Sequence, residues 1–287
     1  MKIRNLEIDK IKLTGESSMP FVELDKNNFK TAIEILIKIP ESYQNTLKKA
    51  WCNSYKNPID YAKAATKKKS DFLAIKFNLN EEDIQNGIEE YIDILKEIEK
   101  VATKPLIITG SENNEIDEVI LPELIQILEK PAIVGSVNEN TYKKILPHCE
   151  KHFVIARTPI DINLAKELNI LISDTNFPKD KILIDTTIGA LGYGLDYAYS
   201  VIERIKQAAF DGDEYLNMPI IAFVGDEVWK TKETKSSDYS SSWGNLEERS
   251  IIWEISTSGA FMSAGANIIV VRHPKTLDTL GKLISKG

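Results

Sequence analysis

Eight short runs rich in β-branched and aliphatic residues alternate with helix-length segments from residue 33 onward. This alternation constrains the fold more than any other feature of the chain. The runs are 33–39, 71–77, 105–109, 131–135, 152–156, 181–185, 219–225 and 267–272. Most are continuously apolar, as strands covered on both faces are. Strand–helix repetition implies a parallel sheet, because parallel neighbours need a long crossover, usually a helix. Eight such units in 287 residues match the count and size of an α/β TIM (β/α)8 barrel. The alternative is an open doubly wound sheet; unit count and length favour the barrel. Residues 1–32 lack the pattern. There, 11–13 and 20–24 flank Gly15 and Ser18 and are expected to pair as a short N-terminal β-hairpin extension. Residues 33–287 are then one barrel domain.

The helical segments carry their own punctuation. Ile84, Ile88, Tyr91, Ile92, Leu95 and Ile98 repeat at three and four residues, which predicts one helix over 84–101 with Asn80 as cap. Helices are also expected at 195–210, after a glycine-rich turn, and at 246–264, between an Asn245 cap and Gly265. A further helix at 162–173 starts from Asp161. One at 121–129 has Pro122 in its first turn, where proline is tolerated.

In a barrel the loops after the strands form the functional face, so polar residues at strand C-termini become candidates. Here these are Arg157 and Asp161, then Asp185, Thr186 and Thr187, then Asp226 and Trp229, and finally Arg272 and His273. Any one of them is as readily a helix cap or loop ion pair. Charged ends on four adjacent strands shift the set towards function. Gly189, Gly192, Tyr193 and Gly194 form a loop before a helix whose backbone can approach a ligand closely. It is not a dinucleotide fingerprint, and no P-loop lysine follows. The polar segment 231–243 is read as a loop of the same face, with Ser240–Ser242 and Trp243 as a mobile part of it.

Composition removes several classes. Lys and Arg number 36 against 43 Asp and Glu, a net charge of −7, so a general nucleic-acid binder is not expected. Two cysteines supply neither a disulfide framework nor the four ligands of an iron–sulfur cluster on this chain. His148, Cys149 and His152 lie close together but lack a fourth ligand and precede a strand, at the end of the barrel opposite the functional face. No metal site is expected. The apolar stretches are strand-length and the first residues are charged, so neither a membrane span nor a signal peptide is expected, and a cytoplasmic location is.

Several stretches, taken in order, resemble one family. They are VIARTPIDIN at 154–163, LAKELNILI at 164–172, ILIDTTIGALGYGLDY at 182–197, WKTKE at 229–233, Trp243-Gly244 and AGANIIVVRHP at 264–274. Together they are similar to the small subunit of the corrinoid iron–sulfur protein, the delta subunit of acetyl-CoA decarbonylase/synthase. Asp226 departs from the pattern, standing where an aromatic is expected, and the N-terminal extension looks shorter than the family's. The resemblance implies a TIM barrel paired with a large subunit that carries the iron–sulfur cluster and the corrinoid (cobalamin). The pair carries a methyl group from a methyltetrahydrofolate methyltransferase to acetyl-CoA synthase in the Wood–Ljungdahl pathway. The chain itself is then a non-catalytic wall over the cobalamin, with Thr186, Thr187 and loop 189–194 facing it. One alternative is a pterin-dependent methyltransferase of the same fold, using Asp185, Asn176 and Asn169. Another is an assembly scaffold with no ligand contact.

Overall fold

The computed structural model describes residues 5–14 and 29–286. The first two strands, β1 (Asn5–Ile8) and β2 (Ile11–Thr14), form an antiparallel hairpin. Eight strands follow: β3 (Lys30–Leu36), β4 (Phe72–Lys76), β5 (Leu106–Thr109), β6 (Ile133–Val137), β7 (Phe153–Arg157), β8 (Ile182–Asp185), β9 (Ile221–Ala222) and β10 (Ile268–Val271). They are parallel, in the order β8-β7-β6-β5-β4-β3-β10-β9. An isolated parallel bridge between Ile184 and Ile220 brings the two ends of the sheet together. Helices separate the strands, so the barrel expectation holds.

The two-residue period of each strand explains the interior. Ala32, Phe72, Ala74, Ile107, Ile133, Phe153, Ile155, Leu183, Ile221, Ile268 and Val270 face inward and form one buried cluster. Their neighbours, such as Ile33, Leu73, Ile108, Val154, Ile184 and Ile269, face the helices and join a second, larger core. Both faces are therefore buried, which is why the runs read as continuously apolar. The hairpin belongs to the inner cluster. Its Leu6, Ile8 and Leu13 are buried against the inward residues at the strand starts, so it plugs the end of the barrel opposite the mouth.

Several boundaries differ from expectation. The hairpin pairs 5–8 with 11–14 around Asp9 and Lys10; the expected strand 20–24 lies outside the described residues. The first barrel strand begins at Lys30 rather than 33. The helix expected over 84–101 is two helices, Glu81–Gln85 and Glu89–Val101, parted at Gly87 with φ +98°. Asn80 does cap the first, in a reciprocal box with Asp83. Pro122 lies in the interior of the helix Asn114–Ile127, because that helix starts early on an Asn113 cap. β9 stops at Ala222 and the chain turns into the short helix Val224–Val228. Asp226 is therefore on a helical turn, not at an extended strand end. The helices Ile162–Asp174, Leu195–Phe210 and Leu246–Ala264 lie where expected, with Asp161 and Asn245 accepting cap hydrogen bonds.

Candidate functional site

Continuing each inward register towards the strand ends leads from an apolar interior to a charged mouth. Glu34 stands two residues beyond Ala32, Lys76 beyond Ala74, Arg157 beyond Ile155, Asp185 beyond Leu183 and Arg272 beyond Val270. These side chains pair with one another. Arg272 donates from Nε to Glu34 Oε2 at 2.5 Å and from Nη2 to Asp226 Oδ1 at 2.7 Å. Lys76 Nζ donates to Asp226 Oδ2 at 2.7 Å and to Glu112 Oε1 at 2.6 Å. Arg157 Nη1 lies 3.0 Å from the same Glu112 oxygen, and Arg157 Nε lies 3.5 Å from Asp185 Oδ2. The helical turn after β9 brings Asp226 over Arg272 and Lys76.

The charges hold one another in place. Burial works against the Asp226 carboxylate, but Arg272, Lys76 and Lys230 outweigh it and hold its pKa well below the usual range. Burial likewise opposes the Lys76 ammonium, and Asp226, Glu34 and Glu112 more than compensate, raising its pKa. Asp185 is different. Burial pushes its pKa up to about 6, against the pull of Arg157 and of the Thr187 N–H that its Oδ1 accepts at 2.9 Å. A cleft of about 350 Å³ opens on the β3–β5 side of the mouth, with Lys76, Asp226, Trp229 and Arg272 in its lining. Asp185 does not line it.

The sequence candidates divide into four groups. Arg157, Asp185, Asp226 and Arg272 come together in this network. Trp229 and His273 lie beneath it, 1% and 2% exposed and stacked at 6.0 Å between centroids; burial lowers the His273 pKa to about 4. Asp161 is a helix cap, accepting from Asn163 and Leu164 N–H groups, and does not join the mouth. Thr186 is buried, while Thr187 is half-buried at φ +53° with its hydroxyl donating to the Thr158 carbonyl. Together they lead from Asp185 into loop 189–194.

That loop is shaped by its glycines. A side chain on Gly189 would meet the Tyr193 carbonyl at 2.1 Å, and Gly192 and Gly194 adopt φ +80° and +79°. Its Leu191 N–H donates to Thr257 Oγ1 and its Tyr193 N–H to the Ala190 carbonyl. The loop presents its outer surface to solvent, where Tyr193 is 47% exposed.

Sequence reasoning missed the residues that extend this surface. Tyr239, Trp243 and Trp253 form a ring series at 5.4 and 5.8 Å between centroids. Trp253 Nε1 donates to the Leu191 carbonyl and so ties the series to the glycine loop. Trp243, stacked on Trp253, is exposed, as is Tyr197 in the first turn of the helix that follows the glycine loop. The segment 231–243, read from the sequence as a loop of this face, is organised by Arg249. This 3% exposed guanidinium donates to the carbonyls of Glu233, Ser236 and Gly244 and lies 4.4 Å over the Tyr239 ring. Glu254, fully buried, was missed too. It accepts from Trp229 Nε1 and the backbone N–H groups of Arg272 and His273, fixing the end of β10. The signal for both was a polar stripe at 249–250, 254 and 257–258 on one helix, all of it buried.

The residues invoked for a pterin do not converge. Asn169 is buried in the helix Ile162–Asp174 and donates to the Tyr215 carbonyl, and Asn176 follows that helix. Loops after helices lie at the opposite end of a barrel from the mouth, so neither can join Asp185. Of the trio before β7, His152 Nδ1 accepts from the Ala132 N–H and Cys149 Sγ donates to the Ile145 carbonyl.

Comparison with known proteins matches residues 7–283 to the family model described as CO dehydrogenase/acetyl-CoA synthase delta subunit. An acetyl-CoA decarbonylase/synthase complex subunit delta from Archaeoglobus fulgidus is 30% identical over 250 residues, 80% of this chain and 55% of that protein. Subunit delta 1 from Methanosarcina thermophila is 34% identical over 205 residues, 68% of this chain and 47% of its own length. The chain thus spans about half the length of these curated relatives. Among solved structures, dihydropteroate synthase of Xanthomonas albilineans with 4-aminobenzoic acid superposes with a TM-score of 0.60 at 10% identity, covering 99% of this chain and 98% of that one. The Vibrio fischeri enzyme gives 0.59 at 14% identity, covering 98% and 97%. At such identity the likeness is one of fold.

Proposed function

Because the chain belongs to the CO dehydrogenase/acetyl-CoA synthase delta subunit family, we propose that it is the small subunit of a methyl-carrying corrinoid iron–sulfur protein. Its barrel top forms one wall over a corrinoid held mainly by a large partner subunit. The exposed aromatic surface of Tyr193 and Trp243, fixed by Trp253 and Arg249, carries this reading. Such a surface suits a flat macrocycle with amide arms: rings offer apolar area, and Thr187 and the outer backbone of loop 189–194 offer polar contacts. When bound, the corrinoid supplies the cobalt chemistry of methyl transfer. The residues of this chain orient the macrocycle and keep water and oxidants from it.

The paired mouth fits a non-catalytic role. Asp226 is held by Arg272 and Lys76, and Arg157 by Glu112 and Asp185, so none of them stands free as an acid or base. A pterin enzyme calls for a deep pocket floored by a carboxylate of raised pKa. Asp185 has the raised pKa but lies under Arg157 outside the cleft. On the proposed reading a methyltransferase and acetyl-CoA synthase dock transiently to the assembled pair in the cytoplasm. Among the described residues no helix is long and apolar enough to cross a membrane.

The test is co-expression with the candidate large subunit. A one-to-one complex with corrinoid and iron–sulfur absorbance, beside a colourless chain alone, is expected. In that complex Tyr193→Ala should accelerate air oxidation of the reduced cofactor. A chain that takes up no partner but binds methyltetrahydrofolate replaces this reading with the enzyme one.

A further inference from the structure

Within the mouth network one carboxylate differs from the rest. Glu34, Asp185 and Asp226 are 1–5% exposed and rooted on β3, β8 and the helical turn after β9. Glu112 comes from the loop after β5, at φ +73°, and its side chain is 35% exposed. A single oxygen of Glu112 serves two cations whose side chains are only 11% and 18% exposed, Lys76 and Arg157. The loop that presents it is itself fixed, since Asp117 accepts from the Ser111 and Glu112 N–H groups at 2.7 and 2.9 Å. Withdrawing the Glu112 side chain leaves two nearly dry cations short of one negative charge; Lys76 and Glu112 line the 350 Å³ cleft, and Arg157 stands behind the Glu112 oxygen. Lys76 keeps Asp226 and Arg157 keeps Asp185, but the oxygen that the two share is gone, and buried donors left short of an acceptor favour an anion at that position. The rim of the same cleft carries Lys230 and Lys235, both exposed.

We propose that the barrel mouth is a ligand site of its own, taking a small molecule through one carboxylate or phosphate group, with Glu112 as the built-in anion that the ligand displaces. The incoming anion sits on Lys76 and Arg157. The rest of the molecule occupies the cleft, where the rim lysines draw it in. Exchange of one carboxylate or phosphate group for the Glu112 carboxylate keeps an anion at that position, so Asp226 and Arg272 need not move.

The experiment is isothermal titration of the full chain with succinate and, separately, with inorganic phosphate, in chloride-balanced buffer of constant ionic strength. Glu112→Ala removes the internal competitor at unchanged backbone demand and should bind one equivalent of a probe about tenfold more tightly than the natural chain, the effect of losing one modest competing ion pair. Preference for succinate identifies a carboxylate ligand, and preference for phosphate a phosphorylated one. Lys230→Ala and Lys235→Ala, on the exposed rim, should each weaken binding several-fold; Lys230 also pairs with Asp226 and Glu227, so Lys235→Ala is the variant that leaves the network untouched. These rim variants decide the matter if Glu112→Ala proves unstable. Absence of binding by both probes, affinity unchanged on removing Glu112, or affinity unchanged in both rim variants overturns the proposal.

Discussion

Asp185 shows what a single side chain contributes to the mouth. Burial raises its pKa to about 6, even though Arg157 and the Thr187 N–H favour the charged form. In the unfolded chain an aspartate titrates near ~3.9. Between these values the folded state keeps a proton that the unfolded chain has released. Stability contributed by this group is therefore present at the acid end of the window and lost as pH rises through about 6. The loss amounts to roughly 3 kcal/mol, about two pKa units. Asparagine does not titrate, so Asp185→Asn should gain on the natural chain by about that amount between pH 4 and pH 7. Urea unfolding of both chains across the window measures it directly, because the titrations of other groups cancel in the difference. A gap independent of pH would mean that Asp185 is ionised and comfortable throughout. His273 acts in the opposite sense: its depressed pKa removes stability as pH falls below the ordinary histidine value.

At the scale of elements, the hairpin Asn5–Thr14 does for the barrel's closed end what the charge network does for its mouth. Leu6, Ile8 and Leu13 fill the space between the inward residues at the strand starts. Leu13→Ala should cost roughly 2–5 kcal/mol of global stability in urea unfolding. Because the hairpin is remote from the barrel top, assembly with the large subunit should keep its affinity; a matching loss there would show that the two ends are coupled. The element was legible in the sequence but its register was not. Ile8 pairs with Ile11, so the turn is the two residues Asp9 and Lys10, at φ +45° and +72°. Hairpin turns of this length favour positive φ and usually announce it with Asn-Gly or Asp-Gly. Asp-Lys hides it, so the strand before it went unread, while the turn expected at Gly15 lies outside the described residues. The barrel strands were readable because burial on both faces leaves unbroken apolar runs. The mouth was half readable. Charged strand ends stood out at Arg157, Asp185 and Arg272, whereas Glu34 and Lys76 lie within apolar runs and are revealed only by counting the inward register. Arg249 and Glu254 escaped because hydrophobic periodicity says nothing about a helix that buries a polar stripe, and their partners are carbonyls and ring nitrogens of the barrel-top loops and strand ends, up to 25 residues away.

For the whole molecule, these placements leave one face free. The hairpin plugs one end of the barrel, helices cover its flank, and the mouth neutralises its charges internally. Beside the mouth cleft, the top carries the aromatic surface. The four tryptophans report on this arrangement. Trp51 and Trp229 are 3% and 1% exposed, Trp253 is half-buried beneath Trp243, and Trp243 is 48% exposed. Acrylamide should therefore quench one accessible component of the fluorescence of the isolated chain, and Trp243→Phe should remove that component while leaving the rest. If the barrel top is the wall over the corrinoid, assembly with the large subunit must cover Trp243. Its accessible component should then disappear from the complex, both with cofactor and in a cofactor-free preparation where the corrinoid cannot itself quench emission. If Trp243 remains as accessible in the complex as in the free chain, the partner binds elsewhere and the aromatic surface serves something other than the corrinoid.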